Sequence, residues 1–396
     1  MKDAEIIRGL EYGICPSSER CGGCCYQGVP YTDQLKNKEG EVRGALRMNG
    51  VDPAVLSGIE PSPCIYRYRN KMEYTFGNEV KDGPTILGLH AKKSFISIVP
   101  VDSCRLVPED FNTVLKATLS FVTEKGYTHY HKKTHQGLMR SLIIRRGVRT
   151  GQLIINIVTS SDGYFDEQGY IDMIMSTRLD AKVEGMIHTI NDNKADALIA
   201  DEVRLLYGRD WYEEEILGLK FKVGAFSFFQ TNVEAAERLY KDAIGLIDGL
   251  EGKTVYDLYC GTGTMTQAMA LKAKKAIGVE IVEEAVNTAR VSAKLNGLSN
   301  CEFICGDVGQ VLDDITEKPD VIMVDPPRAG IMPKAMLKIL SYGVDQIVYV
   351  SCSARSLAAN LHTAQMSGYK VSSIKAYDNF SFTKHVECIA LLERIK

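Results

Sequence analysis

From Lys253 onward, short apolar runs alternate with helix-period stretches, and this alternation constrains the fold more than any other feature of the chain. Thr254–Tyr259, Ala276–Glu280, a run ending at Ile304, Val321–Val324 and Ile347–Ser351 read as five strands. Gly368–Val371 and Glu387–Leu392 complete the set. Strands spaced by helices assemble as a mostly parallel sheet with helices on both faces. Ligands of such sheets gather beyond the C-terminal strand ends. The residues at those ends are Tyr259 with the turn Cys260–Thr264, then Glu280, Asp307, Asp325 and Cys352.

The turn Asp257-Leu-Tyr-Cys-Gly-Thr-Gly263 lacks the full GxGxxG dinucleotide fingerprint. With the strand-terminal Glu280 it better matches a site for S-adenosylmethionine. Its glycines permit close approach of the methionine part, Glu280 suits the ribose hydroxyls, and Asp307 suits the adenine amino group. In Asp325-Pro-Pro-Arg328 the prolines make a rigid ledge after a strand-end acid. Enzymes that methylate exocyclic amines of bases typically follow these prolines with an aromatic residue. Arg328 in that place points to another target atom. Phe226-Ser-Phe-Phe-Gln230-Thr-Asn232 precedes a helix expected over Val233 to Gly249, and Gln230 and Asn232 stand where strand-like sequence turns helical.

The N-terminal region carries a different chemistry. Cys15-Pro-Ser-Ser-Glu-Arg-Cys21-Gly-Gly-Cys24-Cys25 has C-x5-C-x2-C spacing, with a cysteine to spare. The two glycines let the thiolates converge, and a fourth ligand must come from elsewhere, with Cys104 and Cys64 as candidates. An iron–sulfur cluster with one distant cysteine fits this layout better than zinc, which favours paired CxxC motifs or histidines. A surface loop of free thiols is the plain alternative.

A chain of 396 residues, 45% hydrophobic and 24% charged, is expected to form two or three globular domains. No apolar run spans a membrane, and the acid-bearing N-terminus is not that of a signal peptide, so a cytoplasmic protein with no membrane association is expected. Net charge is -3, yet no acid occurs between Tyr127 and Gln152, where His131, Lys132, Lys133, Arg140, Arg145 and Arg146 fall. Tyr66-Arg-Tyr-Arg69 alternates aromatic and cationic residues and reads as a strand. Both segments suit RNA, through phosphate contacts and base stacking. A solvated sheet face balanced by acids elsewhere is the alternative.

In combination, C-x5-C-x2-C, F-x-Q-x-N, D-L-Y-C-G-x-G, D-P-P-R, S-C and H-V-E resemble the RNA uridine C5-methyltransferases, which make 5-methyluridine in tRNA and 23S ribosomal RNA. The resemblance runs from Cys15 to the final Leu-Leu-Glu-Arg. It implies an α/β fold in three parts. These are a 1–65 iron–sulfur segment, a mainly β 66–215 RNA-binding domain whose Cys104 closes the cluster, and a Rossmann-like class I methyltransferase domain over 216–396. It implies that Cys15, Cys21, Cys24 and Cys104 hold a 4Fe-4S cluster. By the same resemblance Gln230, Tyr259, Gly261, Thr264, Glu280, Asp307 and Asp325 line the S-adenosylmethionine site, Cys352 is the nucleophile and Glu387 the base. The implied partner is RNA with a flipped uridine, in 23S ribosomal RNA first and tRNA second, without an obligate protein partner.

The chain departs from the pattern in three places. Ser353-Ala354 follows the cysteine where Asn-Pro is usual, Thr264 replaces a frequent Asn, and the N-terminal β-barrel of some members is missing. The competing functions are a methyltransferase for another substrate and a non-catalytic iron–sulfur RNA-binding protein.

Overall fold

The computed structural model describes residues 8–194, 199–315 and 317–396. After the cysteine segment comes α1 (Tyr31–Met48), then a 3-10 turn at Pro53–Val55 and β1 (Leu56–Glu60). The middle of the chain contributes β2 (Lys71–Gly77), β3 (Ile86–His90), β4 (Ile98–Pro100), α2 (Glu109–Glu124), β5 (Met139–Arg146), β6 (Gln152–Thr159), α3 (Glu167–Ser176), β7 (Lys182–Ile190) and β8 (Glu202–Gly208). These strands form a seven-stranded sheet in the order β4-β3-β2-β5-β6-β7-β8. All its pairs are antiparallel except β6 and β7, which α3 joins as a crossover. The hairpin β9 (Trp211–Ile216) and β10 (Leu219–Gly224) follows, then α4 (Val233–Gly245), with Asn232 accepting from Ala235 N as its cap.

The C-terminal region supplies β11 (Thr254–Leu258), α5 (Thr264–Ala270), β12 (Lys275–Glu280), α6 (Glu283–Leu295), β13 (Cys301–Cys305), α7 (Val308–Asp314), β14 (Val321–Val324), α8 (Pro333–Ser341), β15 (Gln346–Ser351), α9 (Ala354–Met366), β16 (Tyr369–Tyr377) and β17 (Glu387–Arg394). They build an eight-stranded sheet in the order β1-β16-β17-β15-β14-β11-β12-β13. Every residue of β11 and β15 is buried, as helices on both faces require. Within this sheet β17 runs antiparallel to both neighbours.

Three expectations change. Residues 31–60, grouped by sequence with the cysteines, pack instead on the C-terminal sheet. There β1 pairs with β16, and Val42, Ala45, Leu46 and Leu56 share a core with Tyr256, Ile347 and Leu357. The stripe Val42, Ala45, Leu46 is the apolar face of α1, and burying it there is what places the helix. The Tyr66–Asn70 stretch is not a strand, since Arg67 takes φ 57° and β2 begins only at Lys71. Its aromatics face inward: Tyr66 and Tyr68 are buried in a small core with Phe382, which removes them as platforms for bases. The basic 127–152 run is partly internal as well. Arg145 is buried, Arg146 pairs with Asp110 at 2.6 Å and Arg149 with Glu237 at 2.5 Å. Among the described residues no helix is long and apolar enough to cross a membrane.

Candidate active site

The register of β15 and β17 brings two of the expected site residues together. Ser351 pairs with Cys388, so Cys352, just past the end of β15, lies beside Glu387, the first residue of β17. On the other flank β14 runs parallel to β15, and Asp325 follows it immediately. A thiol and two carboxyls thus converge at one edge of the sheet. Burial pushes the Glu387 carboxyl up to about 8, helped by Asp325 and opposed by Arg328 and Lys38. Burial alone pushes Asp325 up to about 7. The Cys352 thiol is raised by burial and by the Glu387 and Asp325 carboxyls, with Arg328 lowering it.

The Ser353-Ala354 departure has a local explanation. Ser353 is the N-cap of α9, its side chain accepting from Ser356 N, and Ala354 is the first helical residue. Asn is an equally good cap and Pro is favoured at the first helical position, so the two dipeptides start the helix equally well. Cys352 therefore stands just ahead of a helix N-terminus, where a thiolate is favoured.

The arginine after the prolines is tied to this edge at two points. The Arg328 carbonyl accepts from Ser356 Oγ at 3.1 Å, and its guanidinium lies 3.1 Å from His385 Nδ1. His385 is held low by burial first and by Arg328 second, so the imidazole is neutral and accepts. Neither this contact nor the loop that carries His385 was legible in the sequence.

That loop, 378–386, connects β16 to β17 and is gripped from the N-terminal region. Lys38, fully buried on α1, pairs with the fully buried Asp378, which also accepts from Tyr31 OH at 2.7 Å and Ser381 Oγ at 3.0 Å. Phe382 N donates to Gln34 Oε1 at 3.0 Å, while its carbonyl accepts from Cys25 N at 2.9 Å and Tyr26 N at 3.0 Å. Tyr66 stacks on the Phe382 ring at 4.5 Å. Asn232, which stands where strand-like sequence turns helical, donates to the Asn379 carbonyl at 2.8 Å besides capping α4.

The other strand ends form a second group beside the first. Gly261 and Gly263 take φ 54° and 74°, and Tyr259 takes φ 67°, which is strained for a tyrosine. A Cβ on Gly263 would lie 2.5 Å from Phe303, whereas nothing stands within 4 Å of one on Gly261, so space opens in front of the turn. The Glu280 carboxylate accepts from three backbone amides, Gly261 at 3.1 Å, Ile281 at 2.9 Å and Val282 at 3.0 Å. Asp307 caps α7 through Gln310 N, and its charge raises Tyr259, whose phenol burial already pushes up, to about 12 in all. Thr264 opens α5 and is buried. Gln230 Nε2 donates to Tyr240 OH at 3.0 Å. Asp257, the first residue of the Asp257–Gly263 motif, lies under the turn. Burial pushes it up to about 7, Thr266 donates to Oδ2 at 2.5 Å, and Oδ1 has no partner.

Cys15, Cys21, Cys24 and Cys104 line one cavity of about 360 Å³, together with Arg69, Arg105, Thr383 and His385. The two remaining candidates are elsewhere. Cys64 donates to the Tyr66 carbonyl and lines a separate cavity, and Cys25 is exposed beside Phe382. Burial raises Cys24 to about 12 and Cys104 to about 11, with further contributions from the other cysteines of the set. Among the described residues no group of three or more His, Cys, Asp or Glu is arranged to hold a metal ion.

Known proteins match this chain over nearly its whole length. The family described as tRNA (uracil-5-)-methyltransferase matches residues 201–395. An uncharacterized RNA methyltransferase of Caldanaerobacter subterraneus is 45% identical over 98% of this chain and 87% of its own length. One from Clostridium tetani is 43% identical over 99% of this chain and 87% of its own length. The crystal structure of Pyrococcus abyssi tRNA (uracil-54, C5)-methyltransferase in complex with S-adenosyl-L-homocysteine aligns with a TM-score of 0.78 at 26% identity, over 94% of this chain and 86% of that one. The eight-stranded sheet is therefore that of an α/β S-adenosylmethionine-dependent methyltransferase, and the chain belongs to the tRNA (uracil-5-)-methyltransferase family of RNA methyltransferases.

Proposed function

We propose that this protein methylates C5 of a uridine in RNA, with 23S ribosomal RNA and tRNA as the candidate substrates. The observation that carries the proposal is the convergence of Cys352, Glu387, Asp325 and Arg328 on one sheet edge. The Pyrococcus abyssi neighbour acts on tRNA, which keeps tRNA beside ribosomal RNA.

Uracil C5 is too weak a nucleophile to accept a methyl cation equivalent unaided. The Cys352 thiolate adds to C6, and the C5=C6 electron pair moves to make C5 and O4 an enolate. S-adenosylmethionine, when bound, supplies the methyl group that C5 accepts. Glu387 then removes the C5 proton, the C5=C6 bond reforms and the thiolate leaves. Arg328 favours the thiolate on which the cycle starts, and Asp325 orients the ring. C6 is reached only when the uridine leaves its stack.

The strand-end residues suit the methyl donor. Glu280, aligned by three amides, offers its outward lone pairs to a ribose diol. Asp257 Oδ1, unpartnered under the glycine turn, suits the positive end of the methionine part. Gln230, Tyr259, Gly261, Thr264, Asp307 and Asp325 would complete the site.

Cys15, Cys21, Cys24 and Cys104 would hold a 4Fe-4S cluster. The four thiols line one cavity, and cysteine thiolates are the ligands that such a cluster takes. The cluster would supply a structural tie between the cysteine segment and Cys104, since the proposed methyl transfer needs no electron.

Mapping 5-methyluridine in tRNA and ribosomal RNA with and without the protein tests the reaction and identifies the RNA. RNA carrying 5-fluorouridine tests the route: lacking the C5 proton, it should stay covalently attached to Cys352. RNA binding without that adduct would overturn the mechanism.

A further inference from the structure

The loop between β3 and β4 carries the most exposed large apolar side chain of the described residues, Phe95, at 88% relative exposure. Single exposed apolar residues are ordinary, but three observations set this one apart. Its backbone is firmly built: Ala91 N bonds to the Ser97 carbonyl at 2.9 Å, Ser94 Oγ accepts from Ser97 N at 3.0 Å, and Lys132 Nζ donates to the Phe95 carbonyl at 3.3 Å. A loop ordered this way holds the ring outward. Its neighbours are cationic, with Lys92 and Lys93 exposed on the same loop and Lys133 beside Lys132 on the facing one. The nearby Glu79 is occupied by Arg20.

The third observation is continuity. Phe95 walls an open cavity of about 440 Å³ together with Gly22, Gly23, Leu89 and Lys93. Gly23 and Leu89 also wall the cysteine-lined cavity, which Thr383 and His385 line as well. His385 contacts Arg328 at the reaction edge. Shared wall residues therefore link the Phe95 cavity to the cysteine cavity, and His385 links that cavity to Arg328.

We propose that Phe95 is a stacking platform for an unpaired base of the RNA substrate, with Lys92, Lys93 and Lys133 binding the adjoining phosphates. An aromatic ring flanked by cations is the usual device for holding single-stranded nucleic acid without reading sequence. The site lies apart from the reacting uridine and selects RNA whose strand near the target is unpaired. It rests on the reading of RNA as substrate.

The chain has a single tryptophan, Trp211, so a reporter is easily placed. In a Trp211→Phe background, Phe95→Trp should lose fluorescence on binding a single-stranded oligouridine and much less with the same strand annealed to its complement. Phe95→Ala and Phe95→Leu should both weaken binding of the single strand by roughly tenfold, within the range of one base–aromatic stack. Phe95→Tyr should retain it. Leu holding the affinity of Phe would overturn the stacking. RNA binding with unchanged reporter emission would overturn this proposal alone, whereas no RNA binding by the native protein would overturn the RNA reading with it.

Discussion

Ser351 and Cys388 are register partners across β15 and β17, and because the strands are antiparallel this single pairing sets Cys352 beside Glu387, 35 residues further along the chain. Glu387→Gln should remove the base and spare the nucleophile. Methylation should fall by about 100-fold or more, with RNA remaining attached to the protein in denaturing gels. Cys352→Ala should abolish both methylation and attachment while S-adenosylmethionine still binds. Turnover in Cys352→Ala would refute the assignment.

Both groups must be deprotonated to act, and both are pushed upward, Glu387 to about 8 and Cys352 above its ordinary value. The single-turnover rate should therefore rise between pH 7 and pH 9. Stability should run the other way. A carboxyl whose folded pKa exceeds its unfolded one binds its proton more tightly when folded, so its contribution is present at low pH and declines as pH rises from about 4.5 to about 8. Glu387→Gln escapes this loss. Its melting temperature should gain on that of the native protein across this range, and a constant difference would exclude the shift.

The buried Lys38–Asp378 pair anchors the loop that leads to Glu387. Lys38→Ala leaves a carboxylate buried without its cation, and should cost about 3–5 kcal/mol in denaturant unfolding. Lys38→Met combined with Asp378→Asn should recover a good part of this. A surface-like effect below about 1 kcal/mol would show that the pair does not hold the loop.

Cys104→Ser should abolish the brown colour expected of an anaerobically purified cluster protein, with its broad absorption at roughly 400 nm. Cys64→Ser and Cys25→Ser should retain it, because neither residue lines the cysteine cavity. A colourless native protein containing stoichiometric zinc would overturn the cluster.

Ser353→Ala removes the α9 cap and should cost about 1 kcal/mol. Ser353→Asn should keep both stability and methylation near native levels. Thermal melts and methylation assays of the two variants separate capping from catalysis.

The sequence alone determined the C-terminal sheet and its edge. Buried parallel strands have an almost continuous apolar signature, and the acids, glycines and cysteine that follow them mark the strand ends whatever the rest of the chain does. Periodicity likewise gives a helix over about Asp33 to Met48, but neither its buried face nor the surface that face covers. What remained hidden depends on contacts between distant segments. Lys38 meets Asp378, β1 joins β16, Arg328 meets His385 and Phe382 seats Tyr66, each across 50 residues or more. Tyr66 and Tyr68 look the same in sequence whether they face a base or a core, and only the packing of the 378–386 loop against them decides that they are interior. The tertiary structure thus decided which cationic and aromatic residues remain for RNA, because burial is set by what packs against a side chain and not by its neighbours in sequence.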